Sequence, residues 1–201
     1  MSPERAPIPA SAPAPALARG EGLPAGGPTV VLGVGNILYG DEGVGVLAAH
    51  ALARCFRFTP AVEVLDGATL GFDMIDLFTT RSSIIVLDAL AADARPGSIF
   101  RLPSALLRQL GPEVRPTAHE VDPLHLLKMA PLFGDPPELV LLGIVPATTA
   151  CTVGLSPALA SAFGAFVQAA LTELAAQGVR AEPVAPVVLD DVVDALVHGV
   201  R

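Results

Sequence analysis

From Thr29 onward, short apolar blocks alternate with amphipathic stretches, and the period of each block predicts its element. Thr29-Val30-Val31-Leu32-Gly33-Val34 is an unbroken, β-branched run, the pattern of a strand buried on both faces of a parallel sheet. Val44, Leu47, Ala48, Ala51, Leu52 and Cys55 then recur at helical spacing, which predicts a helix with one apolar stripe and makes Cys55 a core residue. A second strand is expected over 62–66, a short helix over 71–78 and a third strand over 83–88. This β-α-β-α-β order implies a doubly wound, parallel sheet with right-handed crossovers. The stretch 97–102 reads as an added edge strand, because the connection from Asp88 is too short for a crossover helix. Helices are expected over 104–110 and 122–129 and a strand over 139–145. A long helix follows, with Ser156 as N-cap, Pro157 at its first position, Gly178 as its stop, and Leu159, Phe163, Phe166, Ala170 and Leu174 as its apolar face.

The two ends read differently. Residues 1–27 alternate Pro and Ala without the continuous apolar core of a signal peptide, and are expected to be a disordered extension before a domain over 28–180. Residues 181–201 read as a Pro-broken tail in which 190–197 forms a terminal helix. Every apolar stretch is cut by a charge, Pro or Gly short of the roughly 18 to 20 residues a membrane span needs, so a cytoplasmic protein without membrane insertion is expected. A chain of 201 residues has room for one α/β domain. Its net charge of −8 argues against tracking a phosphate backbone, so no nucleic-acid partner is expected. Cys55 and Cys151 are far apart with no C-x-x-C pair, so a metal site has to use oxygen and imidazole donors.

In open α/β sheets ligands sit beyond the carboxyl ends of the strands. Glu42, in the turn after the first strand, Asp66, ending the second, and Asp88, ending the third, all fall there. A single acid in such a place is as often a cap or turn residue; three on successive strands are less easily explained so. Gly33-x-Gly35 imitates a dinucleotide fingerprint, but the third glycine is replaced by Leu38, and Asp41 and Glu42 would repel a pyrophosphate at the helix start. Of four histidines, His50 and His198 are expected at the surface, whereas His119 lies in a loop able to reach the crevice and His125 either supports it or is exposed. H-E-x-x-H is absent, with Pro123 where its second His would stand, and so is G-x-S-x-G. Glu42, Asp88 and His119, with Asp66 nearby, form an oxygen and nitrogen set suited to nickel or zinc; plain surface acids and a loop histidine are the alternative.

The segment Val31-Leu-Gly-Val-Gly-Asn-Ile-Leu-Tyr-Gly-Asp-Glu-Gly-Val-Gly-Val46 resembles the signature of the hydrogenase maturation endopeptidases, which process the large subunit of nickel–iron hydrogenases. The resemblance continues through Leu65-Asp66-Gly67-Ala68-Thr69, Val86-Leu-Asp-Ala89, Ala118-His119, Leu142-Gly-Ile-Val-Pro146 and Leu155-Ser-Pro157. It implies a three-layer α/β/α sandwich around a twisted, mainly parallel five-stranded sheet. It also implies that Glu42, Asp88 and His119 contact nickel carried by the hydrogenase precursor, whose C-terminal extension is then removed. Asp66 and Asp88 are the candidate catalytic carboxylates, and a structural hydrogen-bonding part for Asp66 is equally open. Asp41 is expected to cap the following helix or oppose its dipole. The chain departs from the family at Ala147, where many relatives carry Glu. An apolar rim at Ile37, Leu38 and Tyr39 is expected to meet the folded precursor, with a monomeric enzyme. The rival readings are a nickel-sensing chaperone that holds the precursor uncut, and a nucleotide-dependent doubly wound enzyme.

Overall fold

Apolar runs that cannot be shared with water set the centre of the molecule. The computed structural model describes residues 29–69, 77–78, 80–107 and 137–198. Five of its strands form one sheet: β1 (Thr29–Gly33), β3 (Glu63–Asp66), β4 (Ser83–Ala89), β5 (Ile99–Pro103) and β6 (Glu138–Ile144). Their spatial order is β3-β1-β4-β6-β5. β1 runs parallel to β3 and β4, and β4 parallel to β6, while β5 closes the edge antiparallel to β6, as the short connection from Asp88 requires.

Alternate side chains of the same strands enter two core layers. Val31, Ile85 and Leu142 face a layer with Leu52, Phe163 and Phe166, from α1 (Val44–Cys55) and α3 (Pro157–Ala176). Val30, Leu32, Ile84, Val86 and Leu139 face the other layer, with Phe78, Leu90 and Leu107, the last from α2 (Ser104–Leu107). Burial on both faces is why the strands read as unbroken apolar runs. The start of α3 is as expected: the Ser156 hydroxyl accepts from the Leu159 N–H at 3.3 Å, and Gly178, at φ +81°, follows its end. α3 is long and apolar enough to cross a membrane, but Leu159, Phe163, Phe166, Ala170 and Leu174 are all buried against the core. Its buried Glu173 accepts two hydrogen bonds from Arg101 of β5, at 2.6 and 3.0 Å, which raises the Arg101 pKa.

The terminal helix expected over 190–197 is present, but the segment that holds it is not a loose tail. Residues after Gly178 form β7 (Arg180–Pro183) and α4 (Leu189–His198), and β7 pairs antiparallel with β2 (Phe56–Thr59), a strand not foreseen. Val192 is buried in the same layer as α1 and α3, with Leu189, Val193 and Leu196 packed against it. The physical reason is the end of α1: Cys55, Phe56 and Phe58 leave an apolar surface that this segment covers. The buried Cys55 thiol donates to the Pro186 carbonyl at 3.3 Å. Burial pushes that thiol's pKa up, with Arg54 opposing and Asp191 adding to the rise. The expected extension over 1–27, the helix over 122–129 and most of that over 71–78 lie outside the described residues.

Candidate functional site

The parallel register brings the candidate acids to one end of the sheet. Gly33, the last residue of β1, lies opposite Asp66 of β3 and Leu87 of β4, so Asp88 stands one residue beyond that row. Asp88 is buried, and its Oδ1 accepts from the Ala89 N–H at 2.7 Å.

Glu42 reaches the same end because glycines let α1 settle on the strand ends. A Cβ on Gly45 would lie 2.1 Å from the Leu87 carbonyl oxygen and 2.4 Å from that of Val34; one on Gly33 would lie 2.4 Å from the Gly45 oxygen. Gly35, at φ +140°, would place a Cβ 1.9 Å from the Glu42 oxygen. The glycine series thus serves close backbone approach rather than phosphate binding. Between Gly35 and α1, a 3-10 turn, Gly40–Gly43, carries Asp41 and Glu42. Glu42 is half-buried, and its carboxylate has no hydrogen bond or ion pair among the described residues.

Asp41 differs from expectation. The N-cap of α1 is Gly43, and no side chain caps the helix. Instead the fully buried Asp41 carboxylate accepts from Ala147 N–H at 2.8 Å and Thr148 N–H at 3.1 Å through Oδ2, and from Ser156 N–H at 2.7 Å through Oδ1. Main-chain bonds reinforce the tie: Gly40 N–H donates to Thr152 O at 2.7 Å and Asp41 N–H to Thr148 O at 3.3 Å. The turn carrying Glu42 and the segment 147–156 therefore form one unit. Ala147 contributes its N–H, a contact that the departure from Glu leaves intact.

His50 is also corrected: it is half-buried rather than at the surface, and its Nε2 lies 3.1 Å from Asp66 Oδ2. Asp66 Oδ1 accepts from Ala68 N–H at 2.9 Å. Both carboxylate oxygens of Asp66 thus have partners that hold the end of β3 in place. His50 sits next to the apolar stripe of α1, and this border position was the available signal. His198 is exposed at the end of α4, as expected. His119 and His125 lie outside the described residues, and among the described residues no group of three His, Cys, Asp or Glu side chains is arranged to hold a metal. The rim is as expected: Leu38 and Tyr39 are exposed and Ile37 half-buried, in a turn where Asn36 Oδ1 accepts from Leu38 N–H at 3.0 Å.

Residues 46–173 match the family model for hydrogenase maturation protease. The chain is 31% identical over 161 residues to the hydrogenase 2 maturation protease of Escherichia coli, covering 77% of this chain and 94% of that protein. It is 32% identical over 118 residues to the hydrogenase expression/formation protein HupD of Thiocapsa roseopersicina, covering 58% of this chain and 53% of HupD, so it spans about half of that relative. Among solved structures, the hydrogenase maturating endopeptidase HybD of Escherichia coli superposes with a TM-score of 0.65 at 28% identity, over 78% of this chain and 98% of that one. The NiFe hydrogenase maturation protease HybD of Thermococcus kodakarensis, 23% identical, shares the fold with a TM-score of 0.58, over 73% of this chain and 98% of that one.

Proposed function

The chain belongs to the hydrogenase maturation protease family and is a peptidase, and from that premise we propose that it removes the C-terminal extension of a nickel–iron hydrogenase large-subunit precursor after nickel insertion. In this reading Glu42, Asp88 and His119 contact nickel that belongs to the substrate. The observation that carries it is the glycine-built turn: it sets Glu42, a carboxylate with no partner among the described residues, at the same end of the sheet as the buried Asp88. Oxygen and imidazole donors complement a nickel ion whose thiolates come from the precursor. This chain, with two distant cysteines, supplies no thiolate pair of its own.

The residues then act as a check and a clamp. Only a precursor that already carries nickel gives Glu42, Asp88 and His119 something to bind, so maturation state is read before cutting. Holding the metal fixes the neighbouring peptide in the crevice, and positioning of that kind supplies much of the rate. The substrate's nickel supplies polarisation of the scissile carbonyl or of a water. Asp66, hydrogen-bonded to His50 and to Ala68 N–H, keeps the end of β3 in place as a positioning residue. The reaction takes place in the cytoplasm with a monomeric enzyme.

Single replacements test the assignment. Glu42→Ala, Asp88→Ala and His119→Ala, each shown folded by circular dichroism, are expected to lower precursor cleavage by at least the roughly 10- to 100-fold typical of losing a metal's outer-shell partner. Full activity in all three overturns it. Wild-type chain that binds the precursor without cutting it would make the protein a chaperone.

A further inference from the structure

The turn that carries Glu42 borders an apolar surface, a shallow groove between that turn, α1, Val153 and α4. Ile37, Leu47, Val153, Val193, Leu196 and Val197 meet there, with no enclosed cavity between them. Ile37 belongs to the Glu42 turn itself, its Cα 2.7 Å from where a Gly43 Cβ would stand. Seven large apolar side chains are exposed among the described residues, and four gather at or beside this groove: Leu38 (54%), Val153 (48%), Val197 (45%) and Tyr39 (44%). A bridge between Tyr39 and Thr152 joins the two loops. Single exposed apolar residues are ordinary, whereas a gathered set marks an interaction surface.

The charge of the rim indicates what fits. α4 carries Asp190, Asp191 and Asp194, all exposed. Asp190 and Asp194 precede the groove residues Val193 and Val197 by three positions, so each acid neighbours an apolar lining residue on the helix surface. No Lys or Arg lines the groove. An apolar floor beside carboxylates suits apolar side chains flanked by cations. We propose that this groove docks an apolar, Lys- or Arg-flanked segment of the hydrogenase precursor and aligns it so that the chain to be cut reaches Glu42. The identity of the partner rests on the function proposed above; the surface itself does not.

The test uses the full chain carrying Val153→Lys or Val197→Lys, with Val184→Lys as a control of similar exposure outside the groove. Binding of nickel-loaded precursor and its cleavage are measured separately. Lys in the groove is expected to raise Kd and KM by about tenfold or more, the loss of one hot-spot contact, with kcat within about twofold. Asp190→Asn with Asp194→Asn is expected to weaken binding and flatten its salt dependence. Wild-type binding by both groove variants overturns the proposal, as does a shift in sedimentation of the chain alone, which would seat a second copy there. If cleavage proceeds while the groove variants bind normally, docking falls and the protease reading stands. If binding depends on the groove but nothing is cut, docking stands and the protease reading falls.

Discussion

Three backbone N–H groups converge on the buried Asp41 carboxylate, from Ala147, Thr148 and Ser156. Asp41→Ala leaves all three without that acceptor, at about 1 to 3 kcal/mol for each group that stays unsatisfied. A loss of about 3 kcal/mol is therefore expected in urea unfolding, with a smaller loss for Asp41→Asn, which keeps one acceptor oxygen. At Gly35 the objection to a side chain is steric and conformational together, since φ is +140° and the Glu42 oxygen occupies the space. Gly35→Ala is expected to displace the Glu42 turn, cutting precursor cleavage sharply and destabilising the fold by about 2 kcal/mol. The two thiols separate on the same kind of argument. Cys151 is exposed, while Cys55 is buried with its pKa pushed up. Iodoacetamide is expected to modify Cys151 quickly and Cys55 only slowly at neutral pH, read by peptide mass.

Among the elements, α4 is the one whose standing the sequence left open. It covers the apolar end of α1, with Val192 buried and Cys55 held by the Pro186 carbonyl. A chain ending after Ala185 uncovers that surface. Losing the apolar burial that Val192 alone provides forfeits about 1.5 to 3 kcal/mol, so the unfolding midpoint is expected to fall and Cys55 to become readily alkylated. An unchanged midpoint would return the segment to the status of a tail. The elements legible in the sequence were those marked by their own apolar run or period: β1, α1, β3, β4, β5, α2, β6, α3 and the terminal helix α4. β2 and β7 were not, because each is a four-residue strand whose partner is distant in the chain. Phe56-Arg57-Phe58-Thr59 does alternate, but a period of two over four residues is a weak signal. The candidate site divides the same way. The strand-end positions of Glu42 and Asp88 were legible, whereas the ties made by Asp41 were not, because main-chain donors leave no mark in local sequence; for His50 the one signal was its place at the border of the α1 apolar stripe.

At the scale of the whole molecule, one end of a mainly parallel sheet gathers Glu42, Asp66 and Asp88, and an apolar rim stands beside them. The net charge of −8 argues against nucleic acid, while these three acids lie at or just beyond the carboxyl ends of the strands. The proposed function, in which the precursor brings its own nickel, asks for no thiolate pair from this chain. In the proposed function the substrate's nickel licenses cleavage, and mass spectrometry reads that dependence directly. The full chain is incubated with a nickel-loaded and with a nickel-free hydrogenase large-subunit precursor, and the products are weighed. The expected result is loss of a C-terminal peptide from the nickel-loaded precursor alone; cleavage of both alike, or of neither, would contradict it.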